Sequence, residues 1–281
     1  MQISTVIPCY NRAHMLESAL ESVLTQTSAV DEIILVDDGS SDDSVALTRR
    51  KYPQVQIVQQ SNRGVSAARN RGIAAAQFDW IALLDSDDCW LPQKIEKIRS
   101  AHKSEPDYVL YHSDEIWIRN GVRVNPMHKH RKRGGWIFQH CLPLCAISPS
   151  TVLIHKPTLL KLGGFDESLL ACEDYDLWLR VCHRFPVYYV DQALVTRYAG
   201  HDDQLSQRYP AMDQFRIRAL DRLLREADLS VEDRKATQST LLNKLDILVT
   251  GAIKHANQPL LNEFAPLRDA WRAEMSSAKS C

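Results

Sequence analysis

Apolar residues in the first third of the chain cluster in short segments, each closed by polar residues. Residues 2–8, 32–36, 55–59 and 80–84 read as strands, and the last of them, five apolar residues without alternation, as one buried on both faces. Between the first two, Met15, Leu16, Ala19, Leu20, Val23 and Leu24 recur at helical spacing. Gly39 then permits a tight turn, with Ser41 or Asp42 placed to cap a second helix, and an alanine-rich stretch carries a third helix to about Gln77. This alternation predicts a doubly wound, mostly parallel sheet whose strand ends turn polar residues toward a common crevice.

Further along, a helix is expected from Pro92 to about Lys103, and residues 108–113 alternate as a strand. Residues 116–119 and 122–124 flank Asn120-Gly121 as a hairpin. Residues 187–190 and 194–198 read as short strands. From Ala211 onward the periodicity is helical: Phe215, Ala219, Leu220, Leu223 and Leu224, then Leu241, Leu242, Leu245, Leu248 and Val249, then Phe264, Leu267 and Trp271. Such helices close a site, mediate a dimer or rest on a membrane.

The run at residues 80–84 ends in Asp85-Ser86-Asp87-Asp88. Three acids this close repel one another, and a hard divalent cation with oxygen ligands would relieve that repulsion. The alternative is a solvated acidic turn in which Asp88 caps the helix opened by Pro92. The most basic stretch, Met127-His128-Lys129-His130-Arg131-Lys132-Arg133-Gly134-Gly135, also has two readings: a mobile solvated loop, or a lid or groove for an anionic acceptor or membrane surface.

Composition narrows the class. The chain has 281 residues, 44% hydrophobic and 25% charged, with a net charge of −1. These are the proportions of a soluble globular protein, and no global field argues for nucleic acid. No basic leader precedes the first strand, and no apolar run reaches membrane-spanning length, so a cytoplasmic location is expected, with peripheral contact at the inner membrane face as an extension. Seven cysteines without a Cys-x-x-Cys pair fit reduced thiols; His140-Cys141 with Cys145 is the best zinc candidate and lacks a second ligand pair.

Four motifs in order, Thr5-Val6-Ile7-Pro8-Cys9-Tyr10-Asn11-Arg12, Val36-Asp37-Asp38-Gly39-Ser40, Asn62-Arg63-Gly64 with Arg69-Asn70, and Asp85-Ser86-Asp87-Asp88, resemble those of family 2 glycosyltransferases with the GT-A fold. The resemblance covers roughly residues 1–200. It implies an α/β GT-A fold, with a Rossmann-like, mostly parallel sheet flanked by helices. Residues 1–205 would form the transferase domain, 1–90 its nucleotide-sugar half and 91–205 its acceptor half, with 206–281 a helical C-terminal extension. It also implies an NDP-sugar donor, most simply a UDP-sugar, and Mn²⁺ or Mg²⁺. Pro8, Tyr10, Asn11, Asp38, Arg69, Asp85 and Ser86 would line the nucleotide site. Tyr10 would lie against the base, Asp38 would accept from the base imide, and Arg69 would sit near the base or diphosphate. Asp85 and Asp87 would serve ribose and metal, with His201 as a further metal ligand.

Cys172-Glu173-Asp174-Tyr175-Asp176 resembles the family's Glu-Asp pair at a helix start, a resemblance that implies Asp174 as the catalytic base. The competing reading is that these acids only favour a helix N-terminus. The implied activity is inverting transfer to a glycan or lipid-linked acceptor in cell-surface polysaccharide synthesis, with a homodimer also in view. Two other classes stay open. One is a non-catalytic nucleotide-binding or partner subunit of the same fold. The other is a nucleotidyltransferase, which would require a glycine-rich first loop that Pro8-Cys9-Tyr10-Asn11 does not provide.

Overall fold

The structure, a computed structural model, describes residues 1–125, 127–200 and 209–277. The first half alternates as expected: β1 (Ile3–Cys9), α1 (Ala13–Leu24), β2 (Glu32–Asp37), α2 (Ser44–Lys51), β3 (Gln56–Gln59), α3 (Val65–Ala75) and β4 (Trp80–Leu83). There follow β5 (Cys89–Trp90), α4 (Lys94–Ser104), β6 (Leu110–Arg119), β7 (Val122–Val124), α5 (Phe138–Cys141), β8 (Leu153–His155), α6 (Lys156–Lys161), α7 (Glu173–Cys182) and β9 (Tyr188–Ala199). Three helices, α8 (Asp213–Glu226), α9 (Val231–Lys254) and α10 (Gln258–Ser277), complete the described chain.

The sheet runs β3-β2-β1-β4-β8-β6-β9-β5, with β7 paired to β6. β1 is parallel to both β2 and β4, so it is buried along its whole length, Ser4 and Thr5 included. Its side chains still alternate between faces: Ile3 and Ile7 join the core beneath α1 and α4, while Val6 joins the core beneath α3 and α7. Gly72 is what lets α3 approach so closely, since a Cβ there would stand 2.4 Å from a Val6 methyl and 2.9 Å from a Val36 methyl. The predicted hairpin is present: Asn120 and Gly121 both take positive φ, 49° and 77°, as a tight two-residue connection between β6 and β7 requires.

The sheet is mixed beyond β4. β8 inserts antiparallel between β4 and β6, and β9 runs parallel to β6 along a register that shifts at Ser113/Asp114/Glu115. The two short strands expected over residues 187–198 are therefore one strand, and the strand expected at residues 108–113 continues into the hairpin. Finally β5 pairs antiparallel with β9, Cys89 opposite Thr196. The residues after β4 are thereby clamped against the end of β9. The apolar faces of α8, α9 and α10, including Phe215, Leu220, Leu241, Leu245 and Phe264, share one core with α7 and the α3 face of the sheet.

Candidate active site

The carboxyl ends of β1, β2 and β4 meet where the sheet changes from parallel to antiparallel, the place at which open α/β sheets leave a crevice. After β1, Pro8 lies within the buried strand and Tyr10 is 46% exposed, leaving its ring open to a planar partner. Asn11 takes φ 53°; its N–H donates to Ser40 Oγ (2.9 Å) and its Oδ1 accepts from Ser41 N–H (2.8 Å). Asn11 thus laces the first loop to the second. Asp38 is buried, and its carboxylate accepts from Gln60 Nε2 (2.7 Å), Arg63 N–H (2.9 Å) and Gly64 N–H (2.8 Å). It holds the entry to α3, where backbone N–H groups otherwise lack acceptors, and retains one lone-pair direction for a ligand.

In the Asp85–Asp88 turn, Asp88 does not cap a helix and is not solvated. It is buried, with Oδ2 accepting from Ser150 Oγ (2.6 Å) and Oδ1 from Tyr198 N–H (3.1 Å). The helix starts later, at Lys94. Burial, and then the charges of Asp87 and Asp85, push the Asp88 carboxyl well above its usual range. The Asp85 and Asp87 side chains remain 28% and 21% exposed, and an Arg12 Nη stands 3.9 Å from Asp87. Ser86 is buried. Among the described residues no group of three or more His, Cys, Asp or Glu is gathered to hold a metal ion, and His201 lies outside the described residues.

Arg69 is where the structure adds most to the sequence reading. It is only 3% exposed, donating from Nη2 to Asp85 (2.6 Å) and from Nη1 to Glu173 (2.6 Å), with its guanidinium 5.1 Å from the Phe165 ring centre. Burial opposes its charge, yet the two carboxylates outweigh that opposition and raise its pKa. Both Nη nitrogens of the guanidinium face protein carboxylates, so Arg69 ties the end of β4 to the start of α7.

The first turn of α7 divides its acids. Cys172 precedes it at φ 60°, a left-handed conformation uncommon for a residue with a side chain. Glu173 faces Arg69, and Asp176 is buried between Arg180 (2.7 Å) and Arg222. Asp174 is half-buried; its Oδ1 accepts from Tyr175 N–H (2.7 Å) and its Oδ2 from the Cys145 thiol (3.2 Å). One oxygen therefore serves the helix terminus as the capping reading expects, while the other is held from a different segment. The zinc candidate is not assembled: His140 Nε2 contacts Arg131 O (2.9 Å), the free Cys141 thiol faces the free Cys182 thiol, and the Cys145 thiol hydrogen-bonds Asp174.

Arg197 was not legible as a site residue. A lone arginine in a strand carries no signal; the β6–β9 register places it opposite Trp117, with its guanidinium 5.6 Å from that ring. Burial opposes its charge, but Glu115, Asp88, Asp174 and Asp85 around it raise its pKa. The basic stretch is likewise anchored rather than uniformly solvated. Lys132 is buried with its Nζ 3.2 Å from buried Glu115, and the His130 ring lies 5.2 Å from Trp117, while Lys129 and Arg131 are exposed.

Lys94 lies beneath this cluster, fully buried, with Nζ donating to Thr151 O (2.9 Å) and 5.2 Å from the Trp90 ring centre. Burial, aided by Lys132 and opposed by Glu115, pushes it down to about 7. Its ordinary value is 10.5, so the unfolded chain binds more protons between these values and stability should rise with pH through that window. The contribution is lost as pH falls through about 7. Urea denaturation from neutral to mildly alkaline pH should show the wild-type protein gaining on Lys94→Met across the window; parallel pH dependences would refute the assignment.

Comparisons with known proteins agree with this architecture. Residues 4–143 match the Glycosyl transferase family 2 profile, and residues 136–228 match the Glycosyltransferase like family 2 profile. An uncharacterized glycosyltransferase of Rickettsia felis is 33% identical over 196 residues, covering 69% of this chain and 32% of the relative. One from Haemophilus influenzae is 29% identical over 208 residues, covering 68% of this chain and 66% of the relative. The chain thus spans about a third of the first relative and about two thirds of the second. Staphylococcus aureus TarS 1–349, solved with UDP-GlcNAc, superposes with a TM-score of 0.69 at 18% identity, over 89% of this chain and 73% of that one. Its UDP complex gives 0.67 at 17% identity, over 89% and 72%. At such identity the likeness is one of fold.

Proposed function

From the premise that this chain belongs to glycosyl transferase family 2, we propose that it moves a sugar from a UDP-sugar to a hydroxyl of a glycan or lipid-linked acceptor, with inversion. The observation that carries this reading is the Arg69 bridge, which brings Asp85 of the donor half and Glu173, next to Asp174, into one crevice. In the proposed step the acceptor oxygen bonds to the anomeric carbon and the bond from that carbon to the diphosphate oxygen breaks. The hydroxyl proton passes to Asp174, which faces the reaction from the acceptor side. Tyr10 would pack the base, and Asp38 would use its remaining lone pair.

Asp85 and Asp87 would hold a Mn²⁺ or Mg²⁺ ion. Two carboxylates fit such an ion, which typically completes its shell with substrate phosphates and water and offsets the charge of the leaving diphosphate. Arg197 adds a fixed cation beside Asp85 and Asp174. A uridine nucleotide is favoured because TarS, which shares the fold, has been solved with UDP and UDP-GlcNAc. Exposed Lys129 and Arg131 would attract an anionic acceptor or membrane surface. No helix among the described residues is long and apolar enough to cross a membrane.

The test is a thermal-shift panel of UDP, GDP, dTDP and CMP nucleotides with and without Mn²⁺, since only a nucleotide that binds the native state raises its melting temperature. UDP with Mn²⁺ should give a shift of several degrees, and Asp87→Asn should lose the Mn²⁺-dependent part of it while melting normally alone. An equal UDP shift in Asp87→Asn would remove Asp87 from the metal site. Release of free UDP on turnover separates an enzyme from a binding subunit of the same fold.

A further inference from the structure

We infer that Cys145 is a positioning residue for the acceptor-activating carboxylate, holding Asp174 through an S–H···O hydrogen bond; the inference rests on Asp174 being the base proposed above. Cys145 Sγ lies 3.2 Å from Asp174 Oδ2, and no other side chain among the described residues donates to Asp174. The thiol also lies 3.2 Å from the Ile147 carbonyl. It has one proton to give, and a carboxylate is the stronger acceptor.

The segment that carries the thiol is tied down on both sides. Tyr175, the residue after Asp174, donates its hydroxyl to Leu142 O (2.6 Å), and Ser148 donates its hydroxyl to Glu115 Oε1 (2.8 Å). Cys145 is therefore presented to Asp174 by a loop anchored partly to α7 itself, and a shift of either would strain the other. Burial, then the adjacent Asp174 charge, pushes the thiol well above its usual range. It stays protonated and acts as a donor, not as a nucleophile or metal ligand.

With Oδ1 held by Tyr175 N–H and Oδ2 by the thiol, the carboxylate plane has one orientation and keeps lone pairs for an incoming hydroxyl. Without the thiol, rotation about the side chain would be limited only by Tyr175 N–H, and the base would spend less time in line with the acceptor oxygen.

The experiment uses the full chain with Mn²⁺, measuring UDP release from UDP-GlcNAc with water as the acceptor, or from whichever NDP-sugar the nucleotide panel selects. Cys145→Ala and Cys145→Val remove the donor in a smaller and a larger side chain, and each should lower kcat about tenfold while leaving KM for the sugar nucleotide unchanged. Cys145→Ser restores a donor and should keep kcat within about threefold of wild type. A packing role would instead make Ser no better than Ala, and that result would overturn the assignment. So would wild-type kcat in both Ala and Val. Asp174→Asn, run alongside, separates the premises: if it turns over normally the base itself is wrong, whereas a slow Asp174→Asn beside normal Cys145 variants rejects Cys145 alone.

Discussion

Asp174→Asn is expected to lower turnover by about 10²–10⁴ while leaving stability and UDP affinity unchanged. Asn retains the shape of Asp and serves a helix N-terminus about as well. Its side-chain oxygen can still accept from Tyr175 N–H, the bond that Asp174 Oδ1 makes now. What it loses is the capacity to take a proton. The donor half, built by β1 to β4 and their loops, is untouched, so nucleotide binding should persist. Steady-state release of UDP, paired with the thermal shift given by UDP and Mn²⁺, measures both quantities on one preparation. Near-normal turnover in this variant would reduce Asp174 to a helix-terminal carboxylate. A product with retained anomeric configuration, read by NMR, would reject direct displacement from the acceptor side.

Arg69→Ala should be the most destabilising single change at the site, by roughly 3–5 kcal/mol, because it leaves a buried carboxylate with no counter-charge. Glu173 is buried and Arg69 is its ion-pair partner, whereas Asp85 is partly exposed and can recover some hydration. The loss should therefore fall mainly on the α7 side. Arg69→Lys should recover part of the stability but little of the turnover, since a single ammonium cannot reproduce a planar fork that reaches two carboxylates at once. Combining Arg69→Met with Glu173→Gln should restore stability toward wild type, because a pair removed together leaves no buried charge. Urea denaturation of the three variants decides the matter: a loss below about 1 kcal/mol in Arg69→Ala would place the guanidinium among ordinary surface cations. Activity should stay low in all three, because the tie between the end of β4 and the start of α7 is gone in each.

How far a residue could be read from sequence follows how local its determinants are. The runs that became β2 and β4 were legible because a strand buried on both faces is largely apolar, and the helices between the strands because one stripe must face the sheet. Asn120-Gly121 announced its hairpin because few residue pairs accept two positive φ angles in succession. The motifs at the strand ends were visible for a similar reason: they stand next to those runs, so their place at the crevice follows from the strand itself.

Charged residues are where local reading failed. Lys132 sat in a run of cations that read as a solvated loop or an anion-facing groove, and it is buried on Glu115; Asp88 was a helix cap in one of two readings, and it is instead held by Ser150 and Tyr198. Arg69 was placed near the base or diphosphate by the resemblance alone, and its span to Glu173, 104 positions away, had no local signal. The hydrogen bond from Cys145 to Asp174 and the position of Arg197 against Trp117 have no local signature at all. Periodicity records which face of an element meets water, so the sequence by itself determined the order of elements from β1 to β4 and the motif positions. Which charge meets which depends on β8 entering antiparallel beside β4 and on the shifted register of β6 with β9. Those pairings join segments far apart in the chain, and a buried charge is tolerated only where such a pairing supplies its partner. The tertiary structure alone decided them.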